Sequence, residues 1–180
     1  MCAFESLAEE PGHLQARLNL AFRAGRLFRQ AGEKERAEDV YAKLVELEPS
    51  NRVAATALED LRRQLQKYDE LVEGWLVQSE SLKNQAERAE AMAKIASLYE
   101  AELADPAQSL VAFTQAFCLA PEKVEYARAV ERLAKNDQTA WTEVLTACTE
   151  SVPNHTVEDS VRLLLQMGRW HADKQNRYDL

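Results

Sequence analysis

The sequence predicts an all-α chain arranged as an α-solenoid of stacked antiparallel helix hairpins, and three observations carry that expectation. Ala, Leu, Glu, Arg, Lys and Gln, all good helix formers, dominate a chain of 180 residues that holds only five Gly and five Pro. No stretch alternates with period two through a Val/Ile/Thr-rich run, so no strand is expected. The phrase Ile95-Ala96-Ser97-Leu98-Tyr99-Glu100, then Asp105-Pro106, then Ala112-Phe113-Thr114-Gln115-Ala116-Phe117 and Pro121, reads as one helix–turn–helix hairpin, with weaker copies elsewhere. A hairpin that cannot bury its apolar face alone must stack on its neighbours.

Prolines mark the joints. Pro11, Pro49, Pro121 and Pro153 each follow a helical apolar stripe, where a helix has to stop. The interval from Pro11 to Pro49 is 38 residues, and that from Pro49 to Pro121 is 72, or two such steps, with the missing joint at the polar pair Asn84-Gln85. The expected helices cover 13–31, 34–48, 51–66, 68–83, 86–104, 106–119, 122–135, 138–151 and 156–174. Within them the apolar residues keep to one face: Val40, Tyr41, Leu44 and Leu47, or Leu110, Phe113, Ala116 and Phe117. Gly32 and Asn136-Asp137 read as turns between paired helices, and Asp105-Pro106 as an N-cap followed by proline in the first turn. The hairpins then fall at 13–49, 51–84, 86–121, 122–153 and 156–180, a single array over residues 1–180. Its ends read as incomplete repeats. Ala3-Phe4-Glu5-Ser6-Leu7-Ala8 resembles the end of a second helix without its partner, and Arg177-Tyr178-Asp179-Leu180 the start of one cut short. The expectation is a segment of a longer array.

Charge and cysteine usage exclude several function classes. With 22 Lys+Arg against 30 Asp+Glu the formal net charge is −8, which disfavours a nucleic-acid phosphate backbone as partner. Three widely spaced cysteines, Cys2, Cys118 and Cys148, do not make a disulfide framework and point to a reducing, cytoplasmic setting. No apolar run is long enough to span a membrane, and the first residues lack the pattern of a secretory signal. His13, His155 and His171 have no metal-ligand spacing, the five glycines are isolated, and no Ser/His/Asp or Cys/His unit is readable. The reading is therefore a non-catalytic chain with no cofactor.

The segment from Leu18 to Pro49 resembles a tetratricopeptide repeat. Small residues stand where the helices would cross (Ala21, Ala24 and Gly25, then Ala37), and Phe28, Tyr41 and Leu44 are the bulky knobs beside them. The segment from Ala91 to Pro121 is similar, with Ala96, Tyr99, Ser109, Phe113, Ala116 and Pro121 in comparable places and a turn about one residue longer. Its wording is typical of degenerate repeats in large bacterial multi-repeat proteins. The hairpins at 51–84, 122–153 and 156 onward fit by length and periodicity only. The resemblance implies a right-handed superhelix whose inner surface, lined by the first helix of each repeat, holds a peptide or protein partner.

On that pattern the ligand-facing positions include Asn19, Phe22, Arg26 and Arg29, with Arg23 completing an arginine row at every third residue. Guanidinium groups beside an aromatic ring suit an acidic or carboxylate-bearing segment, which they bind by bidentate hydrogen bonds. The bland alternative for each arginine is a solvated face paired with glutamates of the next helix. Arg62, Lys94 and Arg169 extend the basic track onto later first helices. The lysine, asparagine and arginine set of the chaperone-binding carboxylate clamp is absent. Trp75, Trp141 and Trp170 read as core knobs, with Trp170 the one expected to be exposed at the cut end. Cys118 and Cys148 read as buried, inert thiols. The expected function is a protein-interaction scaffold. The alternatives are a structural or regulatory arm of a larger enzyme or signalling protein, self-assembly through uncapped ends, and, with net acidity against it, an RNA-binding helical repeat.

Overall fold

The computed structural model describes residues 11–175, and both of the end segments singled out above lie outside them. Every regular element among the described residues is helical: α1 (Pro11–Gln30), α2 (Lys34–Leu47), α3 (Arg52–Gln64), α4 (Tyr68–Ser81), α5 (Gln85–Ala101), α6 (Pro106–Leu119), α7 (Val124–Ala134), α8 (Gln138–Ser151) and α9 (Val157–Gln175), with a 3-10 turn at Val152–Asn154 before α9. The helix starts follow side-chain chemistry. Asn51, Asn84, Asp105 and Asp137 each accept from a backbone N–H of the first turn they precede, at 2.9–3.2 Å. A cap of this kind stabilises a helix by about 1 kcal/mol. Pro106 occupies the first turn of α6 as expected. Pro11 is the first described residue and lies in α1, and the helix expected to end there falls outside the described residues.

The helix ends are closed by backbone geometry. After α1, Gly32 takes φ +79°, its N–H bonds Arg29 O at 3.2 Å, and Glu33 N–H bonds Phe28 O at 2.9 Å. That is the double bond of a Schellman motif. After α3 the same pair recurs (Gln66 N–H to Arg63 O, 3.2 Å; Lys67 N–H to Arg62 O, 2.8 Å), with Gln66 at φ +57° in the place of glycine. Helix α5 stops at Ala101 rather than 104, because Leu103 N–H turns back to Leu98 O and Ala104 adopts φ +51° ahead of the Asp105-Pro106 start.

The described chain divides into two units at Leu71/Val72, inside α4. In the first unit α2 packs on both α1 and α3. Its core is Leu18, Ala21, Ala37, Tyr41, Leu44, Ala54, Ala57, Leu58 and Leu61. The small residues do the work expected of them. A Cβ built on Gly25 would stand 2.9 Å from the Tyr41 ring, so the bare backbone of α1 is what lets that ring lie between the two helices. Beneath the core edge, Glu38 of α2 is buried and accepts from Arg62 Nε at 3.1 Å and Lys67 Nζ at 3.0 Å, while Arg62 Nη1 donates to Glu70 O at 2.7 Å.

In the second unit α6 is central, packing on α5, α7 and α8, and α9 packs on α8. Contacts also link each helix from α5 to α7 with the second helix after it. Arg132 of α7 makes a two-pronged bond to Glu100 of α5, with Nη2 to Oε2 at 2.8 Å. Cys118 of α6 meets Cys148 of α8. Glu131 of α7 accepts from Trp170 Nε1 at 2.7 Å and Gln166 Nε2 at 3.3 Å, both on α9. Trp170 is thereby drawn in. Expected to be exposed, it is only 1% accessible, its ring 5.2 Å from Phe117 and 5.3 Å from Trp141 between centroids. Trp75 and Trp141 are also buried, the latter donating from Nε1 to Lys135 O at 3.0 Å.

Candidate partner-binding cleft

Three of the residues singled out from the sequence come together in the first unit. Helix α1 turns by about 100° per residue, so Phe22, Arg26 and Arg29 fall within an arc of about 60°. With α3 they line an open cleft of about 550 Å³. Tyr41 lies at its base, standing edge-on to Phe22 with ring centroids 5.7 Å apart and planes at 88°. The far wall is the solvent side of α3: Arg52, Val53, Thr56 and Asp60, with Ala57 at the junction with the core.

The charge in this cleft is lopsided. Arg26, Arg29 and Arg52 present three guanidinium groups against the single carboxylate of Asp60. Among the described residues none of the three guanidiniums has an ion-pair or hydrogen-bond partner, and all three residues are exposed. The wall between them is apolar, and Val53 is 65% accessible. Chemically the cleft offers several fork-shaped donors around an aromatic and aliphatic surface, which suits a chain segment carrying carboxylates beside an apolar side chain. Thr56 Oγ1 donates to Arg52 O at 2.9 Å, holding the first turn of α3.

The remaining candidates lie elsewhere. Arg23, about 60° round α1 from Arg26, shares a shallower surface with Arg26, Leu27 and Gln30. Asn19 is exposed and does not line the cleft. Arg62 is spent on Glu38 and the Glu70 carbonyl, its side chain only 18% accessible. In the second unit, Lys94 Nζ sits 3.9 Å from the centroid of the Trp75 ring, a cation–π contact, and Arg169 is exposed on α9.

The α3 wall was not anticipated from the sequence, although the signal is there. Ala54, Ala57, Leu58 and Leu61 mark the buried stripe of α3. Val53, Thr56 and Asp60, at spacings of three and four, form the strip flanking it.

No helix among the described residues is long and apolar enough to cross a membrane. No protein-family model matches the chain, and no curated protein matches it.

Proposed function

We propose that this chain is a tetratricopeptide-like helical repeat, its hairpins forming a right-handed α-solenoid, and that it acts as a non-catalytic scaffold in the cytoplasm. Its ligand is a protein segment that combines carboxylates with an apolar side chain, held in the cleft between α1 and α3. One observation carries the reading: three guanidiniums without partners among the described residues surround an aromatic-based cleft built on rigid helices. Side chains on packed helices are already ordered, so the entropic cost of binding falls mainly on the ligand. The contacts that skip one helix in the second unit support the stacked-repeat part of the proposal.

The test uses a fluorescein-labelled pool of short peptides, each with several Asp or Glu residues around one Leu, Phe or Tyr, followed by fluorescence anisotropy. The wild-type chain binds, and added salt weakens the binding. Arg26→Glu/Arg29→Glu weakens it about tenfold or more with the circular dichroism spectrum unchanged. Equal affinity in the double variant removes the cleft as the site.

A second reading, self-assembly, is favoured by the exposed stripe Val157, Val161, Leu164 and Leu165 on α9. Sedimentation velocity over a concentration series separates the two. A concentration-dependent oligomer abolished by Leu164→Asp supports self-assembly, and a monomer throughout excludes it.

A further inference from the structure

Cys118 and Cys148 lie 30 residues apart on α6 and α8, helices separated in sequence by the whole of α7. Both are buried, at 8% and 0% accessibility, and their sulfurs are 3.6 Å apart. A disulfide needs the sulfurs at about 2.05 Å, so an approach of about 1.5 Å separates the thiol pair from a bond. Side-chain torsion within two helices already packed on one another supplies a movement of that size. We propose that Cys118 and Cys148 form a peroxide-responsive dithiol that closes to a disulfide, stapling α6 to α8.

The environment divides the roles. The hydrogen bond with Cys148 lowers the Cys118 thiol below its ordinary range against the effect of burial, with Ser151 assisting. The same contact, together with burial, pushes Cys148 far up. Cys118, at 8% accessibility against 0% for Cys148, is the thiol that a small oxidant reaches first and is the nucleophile, and Cys148 is the resolving partner. The Cys118 thiolate attacks one oxygen of hydrogen peroxide, breaking the O–O bond. It becomes a sulfenic acid, and the leaving hydroxide takes up a proton to form water. The Cys148 sulfur then attacks the Cys118 sulfur, forming the S–S bond and expelling the sulfenic oxygen as a second water. Two thiols and one peroxide give one disulfide and two waters, a two-electron oxidation of the protein. A water-sized oxidant suits so buried a pair. In a reducing setting the thiols persist, and the bridge forms only on exposure to peroxide.

The test uses the full chain carrying Cys2→Ser, so that two thiols remain. The folded protein is treated with hydrogen peroxide, alkylated with N-ethylmaleimide and weighed intact. The expected result is a loss of two hydrogens with no alkylation, a linked peptide pair containing Cys118 and Cys148, and reversal by dithiothreitol. The oxidised form has a thermal midpoint several degrees higher than the reduced form, as expected for closing a loop of this length. Cys2→Ser/Cys148→Ser stops at a sulfenic acid on Cys118 that dimedone captures. Both thiols fully alkylated after peroxide, at a dose that oxidises the same chain in guanidinium, would overturn the proposal. So would oxygen added to either sulfur without linkage, or a bridge that lowers the midpoint.

Discussion

Arg132 in the second unit and Arg26 in the first are the same side chain in opposite circumstances. Arg132 grips Glu100, 32 residues earlier, with both prongs of its guanidinium. Arg26, like Arg29 and Arg52, has no partner among the described residues. Their immediate neighbours in sequence do not explain the contrast. In the second unit the partner of a polar side chain stands on the second helix away, where a glutamate either waits or does not. The second unit follows this rule repeatedly: Cys118 with Cys148, Glu131 with Gln166 and Trp170. Its polar groups are committed to holding helices together, whereas the first unit leaves three guanidiniums to solvent in one cleft. Commitment predicts loss of stability on mutation, and freedom predicts loss of binding.

The largest effect is expected where the second unit is most committed. Trp141 is fully buried against Trp170, and its Nε1 holds the Lys135 carbonyl at the end of α7. Trp141→Ala should cost about 3–5 kcal/mol in urea unfolding. A loss below about 1 kcal/mol would mean that the aromatic cluster does not hold α8 and α9 together. Next comes Gly25→Ala in the first unit, where the new methyl would lie 2.9 Å from Tyr41. Overpacking of this kind costs about 1–3 kcal/mol. Because Tyr41 is also the base of the cleft, peptide affinity should fall with stability. Unchanged affinity in the folded variant would separate the cleft from the helix crossing.

The smallest effect sharpens the comparison within the first unit, which also has its committed charges. Burial raises the Glu38 carboxyl, but hydrogen bonds and charge from Lys67 and Arg62 overcome it, and its value lies below the ordinary one of about 4.5. A depressed carboxylate gives stability that is complete above the ordinary value and lost as pH falls through the lower, folded-state value. Unfolding monitored from neutral pH down to about 3 should show a decline below about 4.5 that Glu38→Gln makes shallower. Lys67 is raised by the same hydrogen bond, so the pair is lost on the acid side as Glu38 takes up its proton and on the strongly alkaline side as Lys67 gives its proton up. An identical acid limb in Glu38→Gln would show that the Glu38–Arg62–Lys67 cluster does not couple α2 to the end of α3.

Much of the helix layout was legible from local signals. Prolines, caps and the 3.6-residue stripe placed α2, α6 and α8 almost to the residue, and small residues at Ala21, Gly25 and Ala37 marked the close approach of α1 and α2. What stayed hidden depends on residues about 30 positions apart. Nothing near Trp170 in sequence says that Glu131 will accept its N–H, and nothing near Cys118 says that Cys148 faces it. Half of the cleft was legible for the same reason: Phe22, Arg26 and Arg29 share one helix, but Arg52 and Val53 join them only through the packing of α1, α2 and α3. The breaks after α3, α5 and α7 were legible, but the positive φ at Gln66, Ala104 and Lys135 was not, because none of the three is the glycine that usually announces it.

The reach of these pairings has a genetic consequence. Glu100 finds Arg132, and Glu131 finds Trp170, only while the intervening chain keeps its length. An inserted or deleted residue in the segment between them rotates or shifts one partner away from the other, although every individual helix survives. Such a chain should therefore accept point substitutions between these partners far more readily than any change in the length of the segment that separates them.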